Sequence, residues 1–592
     1  MARASSILGI SCCLASASAL AGDDGFSVIG IPDTQNYSEL YPMIFVDQTS
    51  WVAANIELLD VRFVSHFGDL VQHADRVEEW INADDAMVLI DESGVPQGVT
   101  SGNHDITANG LSGEPYIPGN YLDFFGPQRY EDTSYFRTAS PTGMSSWQVF
   151  AGDDREFIGL SVECETAASE LAWAQGILDR NRDKAVMFTT HRYLQDAEDY
   201  TAGVPVVSSG RYPDIWYIVE PPRQPAGIRA EELYQWFIRR NPNIFLVNCG
   251  HFHEEYRQTS TNVAGLPVHE VLADYQDDPN GGDGWLRIME FDVPAGRIDF
   301  ETYSPYLDEY RFADESLFSL DVDFDAHRNL DGFAAFQQGI NGYSGTRDTW
   351  INEDAPNSSY GEQDTRSSDD DIANSIFTDY RGQAMLRFDG VFSEGASPGQ
   401  VPTGSTIRSA TIVLDVASDI DNPFLNPEFD IHPILVGWNE DSTWNSLDDG
   451  LSVGTDIGRA FASFSGDNVP NSDSMRRIDV TELAQAWSDG LPNHGIAILP
   501  EIIDGNDEGI EIWTSESGNP LLRPRLEIVF DLPPSPPSPD LNGDGFVDSA
   551  DLGLLIAAWN DIGVNAADLN LDGIVGPADL GMLIAAWGPV SG

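Results

Sequence analysis

Divalent-metal chemistry in this chain would rest on Asp33, Asp69, Asn103, His191, His251 and His253. Each lies in a short motif: Asp33-Thr34-Gln35, Gly68-Asp69, Gly102-Asn103-His104-Asp105, His191 alone, and Gly250-His251-Phe252-His253. A cation that activates water needs carboxylate, imidazole and amide ligands with one position left open. Two such cations, roughly 3.5–4 Å apart, need a shared ligand. Asp69 is the natural bridging carboxylate. His104 is the candidate general acid, and its neighbour Asp105 is expected to hold the imidazole.

What positions these residues is a set of short apolar runs. FSVIGIP precedes Asp33, VRFVSHF precedes Gly68, AVMFTT precedes His191 and NIFLVNC precedes Gly250. Such β-branched runs bounded by Gly or Pro are buried strands. Polar motifs therefore recur at the carboxyl ends of strands, where open α/β sheets build their sites. Helical patterns between them, Gln48 to Leu59 and Ala168 to Leu178, complete an α/β alternation over residues 24–315. Five motifs in order, each after a strand, are hard to explain as turns alone. His66, His73 and His269 read as structural.

At 592 residues the chain is too long for one core, so a multidomain protein is expected. Its formal charge of −66 argues against nucleic acid or an anionic membrane as partner. Arg3, the apolar stretch Ile7 to Leu20 and Ala19-Leu20-Ala21 make residues 1–21 a signal peptide, and hence a secreted or cell-surface protein. No later stretch suits a transmembrane helix. Cys164 and Cys249 are left to pair or to remain as buried thiols.

Past Glu315 the pattern changes. Residues 330–531 hold short alternating strands broken by Gly, Pro, Asn and Asp, an all-β sandwich. Residues 532–539, including PPSPPSP, form a stiff linker. Residues 540–592 contain two copies of one unit, DLNGDGFVDSADLGLLIAAW and DLNLDGIVGPADLGMLIAAW. In the first, Asp540, Asn542, Asp544, Asp548 and Asp551 fall at calcium-loop positions, with Gly545 at the sharp turn. In the second the ligands are Asp568, Asn570, Asp572 and Asp579, with Gly576 leaving one position to water.

The first region resembles the calcineurin-like metallophosphoesterase superfamily, whose pattern is D-x-H, GD, GNH[DE], H and GHxH, over roughly residues 30–310. The resemblance implies a four-layer α/β/β/α fold and two divalent transition-type cations (Mn, Fe or Zn). Asp33, Asp69 and His253 would hold one, with Gln35 in place of the family's histidine as a weaker amide ligand. Asp69, Asn103, His191 and His251 would hold the other. His104 would protonate the leaving group while a hydroxide activated between the metals attacks phosphorus. Gly281 to Arg287 resembles a segment of secreted branches that begin with PDTQ; it lines the cleft or forms a surface turn.

Residues 330–531 resemble DNRLRE-type domains, jelly-roll-like sandwiches read as carbohydrate-binding modules. The resemblance rests on Phe336 to Gly339, Gly342 to Ile351, Ala384 to Asp389 and Trp444-Asn445. It implies a polysaccharide partner, although Trp350, Trp438, Trp444 and Trp487 are expected in the core rather than on a sugar platform. The tail resembles type I dockerin repeats, which implies bound Ca²⁺ and a cohesin-like or cell-surface partner. Together these imply a secreted phosphoesterase acting on phosphomono- or phosphodiesters. The rivals are a non-catalytic adhesion or scaffold protein with a degenerate metal site, and a metal-dependent sugar-phosphate binder.

Overall fold

The computed structural model describes residues 25–111, 113–196, 209–213, 227–328, 332–362, 365–369, 382–393, 399–419, 428–465, 474–500, 509–532, 538–562, 565–570 and 573–589. The expected signal peptide, most of the Pro-rich linker and Asp572 lie outside them.

Two seven-stranded sheets build the first half. In one, Phe26–Ile31, Val61–His66 and Gln97–Val99 run parallel, flanked by the antiparallel Leu286–Asp292 and Arg297–Ser304. In the other, Arg155–Ser161, Ala185–Arg192, Ile244–Gly250 and Pro267–Asp274 run parallel. Phe26–Ile31, Ala185–Arg192 and Ile244–Gly250 are buried at every position, which is why they read as unbroken apolar runs. One core cluster joins the two sheets through Phe26, Phe63, Phe157, Phe245, Phe291 and Phe300. Pairing continues past Glu315: Phe318–Asp321 adds to Arg297–Ser304, and Val322 and Phe324 enter the shared core.

Helices cover the other faces. Trp80, Ala83, Met87 and Ile90 form one stripe of the helix Val77–Ser93, at the spacing of a helical face, and pack with Ile29 and Val64. The helix expected over 48–59 runs over Pro42–Asn55, because Pro42 fits the first helical turn, where its missing N–H costs nothing. Leu171, Ala174 and Leu178 of Ala168–Arg180 pack on Ile158, Phe188 and Val247. Cys164 and Cys249 are buried free thiols, so no disulfide joins them.

The rest of the chain is β-rich. Phe336, Ile412, Leu526 and Ile528 from a six-stranded sheet meet Leu386, Ile431 and Ile498 from a five-stranded one. Trp350, Trp438, Trp444 and Trp487 are all buried, so none offers a face to a sugar. Ion pairs staple this sandwich to the α/β half. Arg525 Nη2 lies 2.6 Å from Asp179 Oδ1, and Arg240 Nη2 lies 2.5 Å from Asp415 Oδ1, with all four side chains largely buried. The tail is small: Val547, Leu555, Leu569, Val575 and Leu583 are buried between the helices Ser549–Ala557 and Pro577–Ala585. Among the described residues no helix is long and apolar enough to cross a membrane.

Candidate metal centre

The carboxyl ends of the parallel strands in both sheets converge. Asp33 follows Phe26–Ile31, Asp69 follows Val61–His66, and Asn103 follows Gln97–Val99. From the second sheet come His191, inside Ala185–Arg192, and His251, just past Ile244–Gly250. Asp69, His191 and His251 each place a ligand atom within 4.8 Å of the others, and all three are buried.

The protonation pattern of His191 follows from its partners. Nδ1 lies 2.9 Å from the Phe67 carbonyl, which only accepts, so Nδ1 carries the hydrogen. Nε2 faces the cluster. It sits 3.1 Å from Asn103 Oδ1 and 3.2 Å from Asp69 Oδ2. Asn103 cannot offer its NH₂ instead, because Nδ2 donates to the Gly110 carbonyl at 3.2 Å. Two oxygens and an imidazole nitrogen thus converge within hydrogen-bond range, a donor set that suits a divalent cation. Buried together, these groups perturb one another's protonation. Burial lowers the affinity of His191 for a proton, yet Asp69 outweighs it and the net shift is upward. Burial pushes Asp69 up, but the imidazoles of His191 and His104 bring it below the ordinary carboxylate range. Burial, helped by Arg192, drives His251 well below the usual histidine range, leaving the neutral form that ligates metals.

His104 stands beside this cluster. Its backbone N–H donates to Asp69 Oδ1 at 2.9 Å, and its Nδ1 meets the Gln72 carbonyl at 2.7 Å. The expectation that Asp105 holds the imidazole is therefore corrected. Asp105 accepts from the backbone N–H groups of Val71 (3.1 Å) and Gly102 (2.7 Å), tying the Asp69 loop to the Asn103 loop. Burial and then Asp69 push its carboxyl up to about 8. The carbonyl of Gln72 is itself anchored, since Glu79 Oε2 accepts from the N–H groups of Gln72 and His73, each at 2.9 Å. Gly110 closes the other side: a Cβ there would lie 2.2 Å from His104 Nε2, and its φ of +69° also favours glycine.

On the Asp33 side the arrangement differs from the expected one. Asp33 Oδ2 accepts from the His251 N–H at 3.0 Å, while Oδ1 is buried without a hydrogen bond. The Gln35 side chain donates through Nε2 to Gln276 Oε1, and its own Oε1 is buried without a partner. Gln276 in turn contacts His253 Nε2, and His253 Nδ1 lies 2.6 Å from Asp277 Oδ2. Both ring nitrogens of His253 are thus engaged away from the cluster, and the structure does not gather His253 with Asp69, His191 and His251. Two carboxylates packed in the interior explain the electrostatics here. Burial, then Asp274 and Asp69, raises Asp33 well above its ordinary range, and burial lifts Asp274 to about 6.

Several supporting residues escaped the sequence reading. His66, read as structural, bonds Thr34 Oγ1 at 3.0 Å and accepts from the Gly68 N–H at 3.1 Å, so it fixes both the Asp33 and Asp69 loops. Burial lowers it to about 3, which keeps it neutral. Asp274 and Gln276 carried a readable signal, a polar cluster directly after the short apolar run Val271-Leu272-Ala273. Gly281 to Arg287 packs on the Asp33 loop rather than forming a surface turn: a Cβ on Gly282 would lie 2.3 Å from Tyr37 Oη, and Tyr37 accepts the Gly284 N–H at 2.9 Å. A second group, Glu39, His73 and Glu79, lies within ligand range, but Arg76 Nη1 already pairs with both glutamates at 3.3 Å.

In the tail the loop carboxylates are turned by backbone N–H groups. Asp540 accepts from Gly543 and Gly545, both at 2.8 Å, and Gly545 takes a φ of +90° at the sharp turn. Asp551 accepts from Asn542 (3.1 Å) and Asp548 (2.8 Å). Asp579 repeats this with Asn570 (3.1 Å) and Gly576 (2.6 Å), and Asp568 accepts from Gly573 at 2.8 Å. The family model described as Dockerin type I domain matches residues 538–586. Residues 538–586 are a type I dockerin. Over 316 residues the chain is 29% identical to "Uncharacterized protein YvnB" of Bacillus subtilis (strain 168), a match covering 50% of this chain and 22% of that protein. The chain thus spans about a fifth of that relative's length. Among solved structures, a dimetal phosphatase from Danio rerio aligns at 12% identity and a TM-score of 0.31, over 50% of this chain and 99% of that one. The purple acid phosphatase PPD1 from yellow lupin (Lupinus luteus) seeds aligns at 14% and 0.32, over 51% and 55%. Neither score is high enough to carry an argument about fold or activity.

Proposed function

We propose that this chain is a secreted, metal-dependent phosphoesterase that hydrolyses phosphomono- or phosphodiesters. The observation that carries the reading is the convergence of Asp69 Oδ2, Asn103 Oδ1 and His191 Nε2. These groups, with the unpartnered Asp33 Oδ1 and Gln35 Oε1, fit divalent cations. Asp69, Asn103, His191 and His251 would hold one; Asp33 and Asp69, with Gln35 as a weak ligand, would hold the other. Such cations supply neutralising charge for a phosphoryl group and an acidified water.

The chain's own residues do the rest. His104 gives a proton from Nε2 to the leaving oxygen, because Gln72 occupies Nδ1 and leaves Nε2 for substrate. Asp69 fixes the His104 backbone, and Gly110 leaves room for the ring. Asp105 and His66 clamp the strand-end loops and take no direct part. The same reading includes the four-layer order of the first half and a jelly-roll-like winding of the sandwich. The dockerin would bind Ca²⁺ through Asp540, Asn542, Asp544, Asp548 and Asp551, and through Asp568, Asn570, Asp572 and Asp579. It would attach the enzyme to a cohesin-like partner.

Hydrolysis of bis- and mono-p-nitrophenyl phosphate by the full chain, before and after chelation, tests the reading. Turnover that chelation abolishes and Mn²⁺ restores is expected. A well-folded, metal-loaded protein with no turnover on either ester would favour the scaffold reading instead, for which the engagement of His253 by Gln276 and Asp277 is the supporting observation.

A further inference from the structure

We infer that the seam between the α/β half and the sandwich holds an anion site, a cleft lined by Arg182, Arg328 and Arg477 that takes a tetrahedral oxyanion, sulfate or phosphate. The inference is independent of the phosphoesterase reading. The cleft has a volume of about 400 Å³. Arg182 and Arg328 reach it from the first half, and Ser409, Thr411, Arg477 and Glu527 from the sandwich. The chain as a whole carries 96 Asp and Glu against 30 Lys and Arg. In this lining the balance is reversed, with three arginines to one carboxylate.

The carboxylates at the seam are already engaged by other arginines. Glu527 accepts from Arg525 Nε through Oε1 and from Arg477 Nη2 through Oε2, both at 3.0 Å. Asp179 accepts from both Nη groups of Arg525, at 2.6 and 3.1 Å. Arg182 is left with Asp179 Oδ1 at 3.7 Å, beyond hydrogen-bond range. It is only 9% exposed, its guanidinium lies over the Phe333 ring at 4.2 Å, and its Nε is buried with no hydrogen-bond partner among the described residues. Arg328 repeats the pattern. Its Nε is buried without a hydrogen bond, 3.6 Å from Asp325, an exposed acid that Arg155 meets at 3.1 Å. Burial, reinforced by Arg525 and Arg477, lowers Arg182 below the ordinary arginine range against the pull of Asp179 and Glu527. A buried guanidinium donor without an acceptor is costly, and a planar fork of N–H groups fits the oxygens of a tetrahedral anion. The hydroxyls of Ser409 and Thr411 add two neutral donors. Because both halves supply the lining, a bound anion braces the seam.

Isothermal titration calorimetry on the full chain at pH 8 tests the inference. Sodium sulfate and inorganic phosphate are the two titrants, with NaCl holding the ionic strength constant so that diffuse screening cancels. The seam should bind one anion, and the tighter titrant identifies it. Affinity should fall by ~10-fold or more in Arg182→Met and in Arg328→Met. It should be unchanged in Arg297→Met, which removes an arginine paired elsewhere with Asp299, and in Asp69→Asn, which alters the metal centre. No saturable binding of either anion overturns the inference. So does binding that Asp69→Asn abolishes and Arg182→Met retains, or equal weakening in Arg297→Met. Hydrogen exchange on the wild type needs no variant: the bound anion should slow amides around Arg182 and around Arg477 together. Slowing confined to the loops of Asp33 and Asp69, or none at all, also overturns it.

Discussion

On the proposed reading the chain has two places for cations, and they are made in opposite ways. The proposed centre in the first half would draw its ligands from residues 33 to 251, carried by two sheets with a large shared core. The dockerin loops draw theirs from twelve consecutive residues beside a core of a few side chains. In the first, the fold holds the carboxylates together and the cation relieves the cost. In the second, backbone N–H groups aim the carboxylates and the cation supplies much of the folding energy. A pre-built centre tolerates loss of its metal; a loop beside so small a core does not.

Substituting the shared ligand should break the first side of that contrast most severely. Asp69→Asn keeps the shape, and its Oδ1 can still accept from the His104 N–H, but it removes the negative charge that the two cations would share. Phosphoesterase turnover should fall by more than ~10²-fold, while calcium-dependent protection of the dockerin is unchanged. Kinetics beside hydrogen exchange on the same sample would check both. His104→Asn should lower kcat by ~10²–10³-fold for esters with poor leaving groups, and less for p-nitrophenyl esters. Metal content by elemental analysis should stay at the wild-type level, since His104 is not a ligand.

Chelation sharpens the other side. Amides of residues 540–586 should lose protection in chelator, and strands such as Ile244–Gly250 should keep theirs. At a hundredfold excess over Kd each loop gains about 2.7 kcal/mol from Ca²⁺. Equal loss of protection in both regions would erase the distinction. Gly110→Ala should destabilise the first half by about 1–2 kcal/mol through its left-handed backbone, and should also lower turnover by pressing on the His104 ring; thermal melts and kinetics report the two.

The smallest effect concerns carboxylates that have no cation. Glu290 lies opposite Asp299 across two antiparallel strands, with Glu301 nearby. Burial, then Glu301 and Asp299, raises Glu290 to about 7 from its ordinary 4.5. The folded protein therefore holds its proton more tightly than the unfolded chain. The resulting stability is complete below about pH 4.5 and is lost as pH rises through about 7. Glu290→Gln should flatten that part of the Tm–pH profile and raise Tm slightly at pH 8, whereas chelator should leave it unchanged.

The contrast also explains what was legible in the sequence. The dockerin was readable from its repeated loops, because the acidic positions and the turn glycine Gly545 lie within one short window. The strand-end motifs Asp69, Asn103, His191 and His251 were readable because each follows an apolar run. Their partners were not. Gln72 holds His104 through a backbone carbonyl, and a carbonyl has no residue identity to recognise. Gln276 reaches Gln35 across 241 positions of sequence. Asp105 looked like the partner of His104 only because it is adjacent in sequence, whereas a turn sends successive side chains in different directions.

One feature of the fold bears on how such a chain can be inherited. The dockerin hangs on a short Pro-rich stretch and could be exchanged between proteins without leaving a scar. The α/β half and the sandwich could not be parted so cleanly. Their junction uses Arg525 with Asp179 and Arg240 with Asp415, and separating the halves would leave each with charged groups shaped for a counter-ion it no longer has. Gene shuffling should therefore move these two regions as a single cassette, with the arginines and aspartates of the seam travelling together, while tails are gained and lost around them.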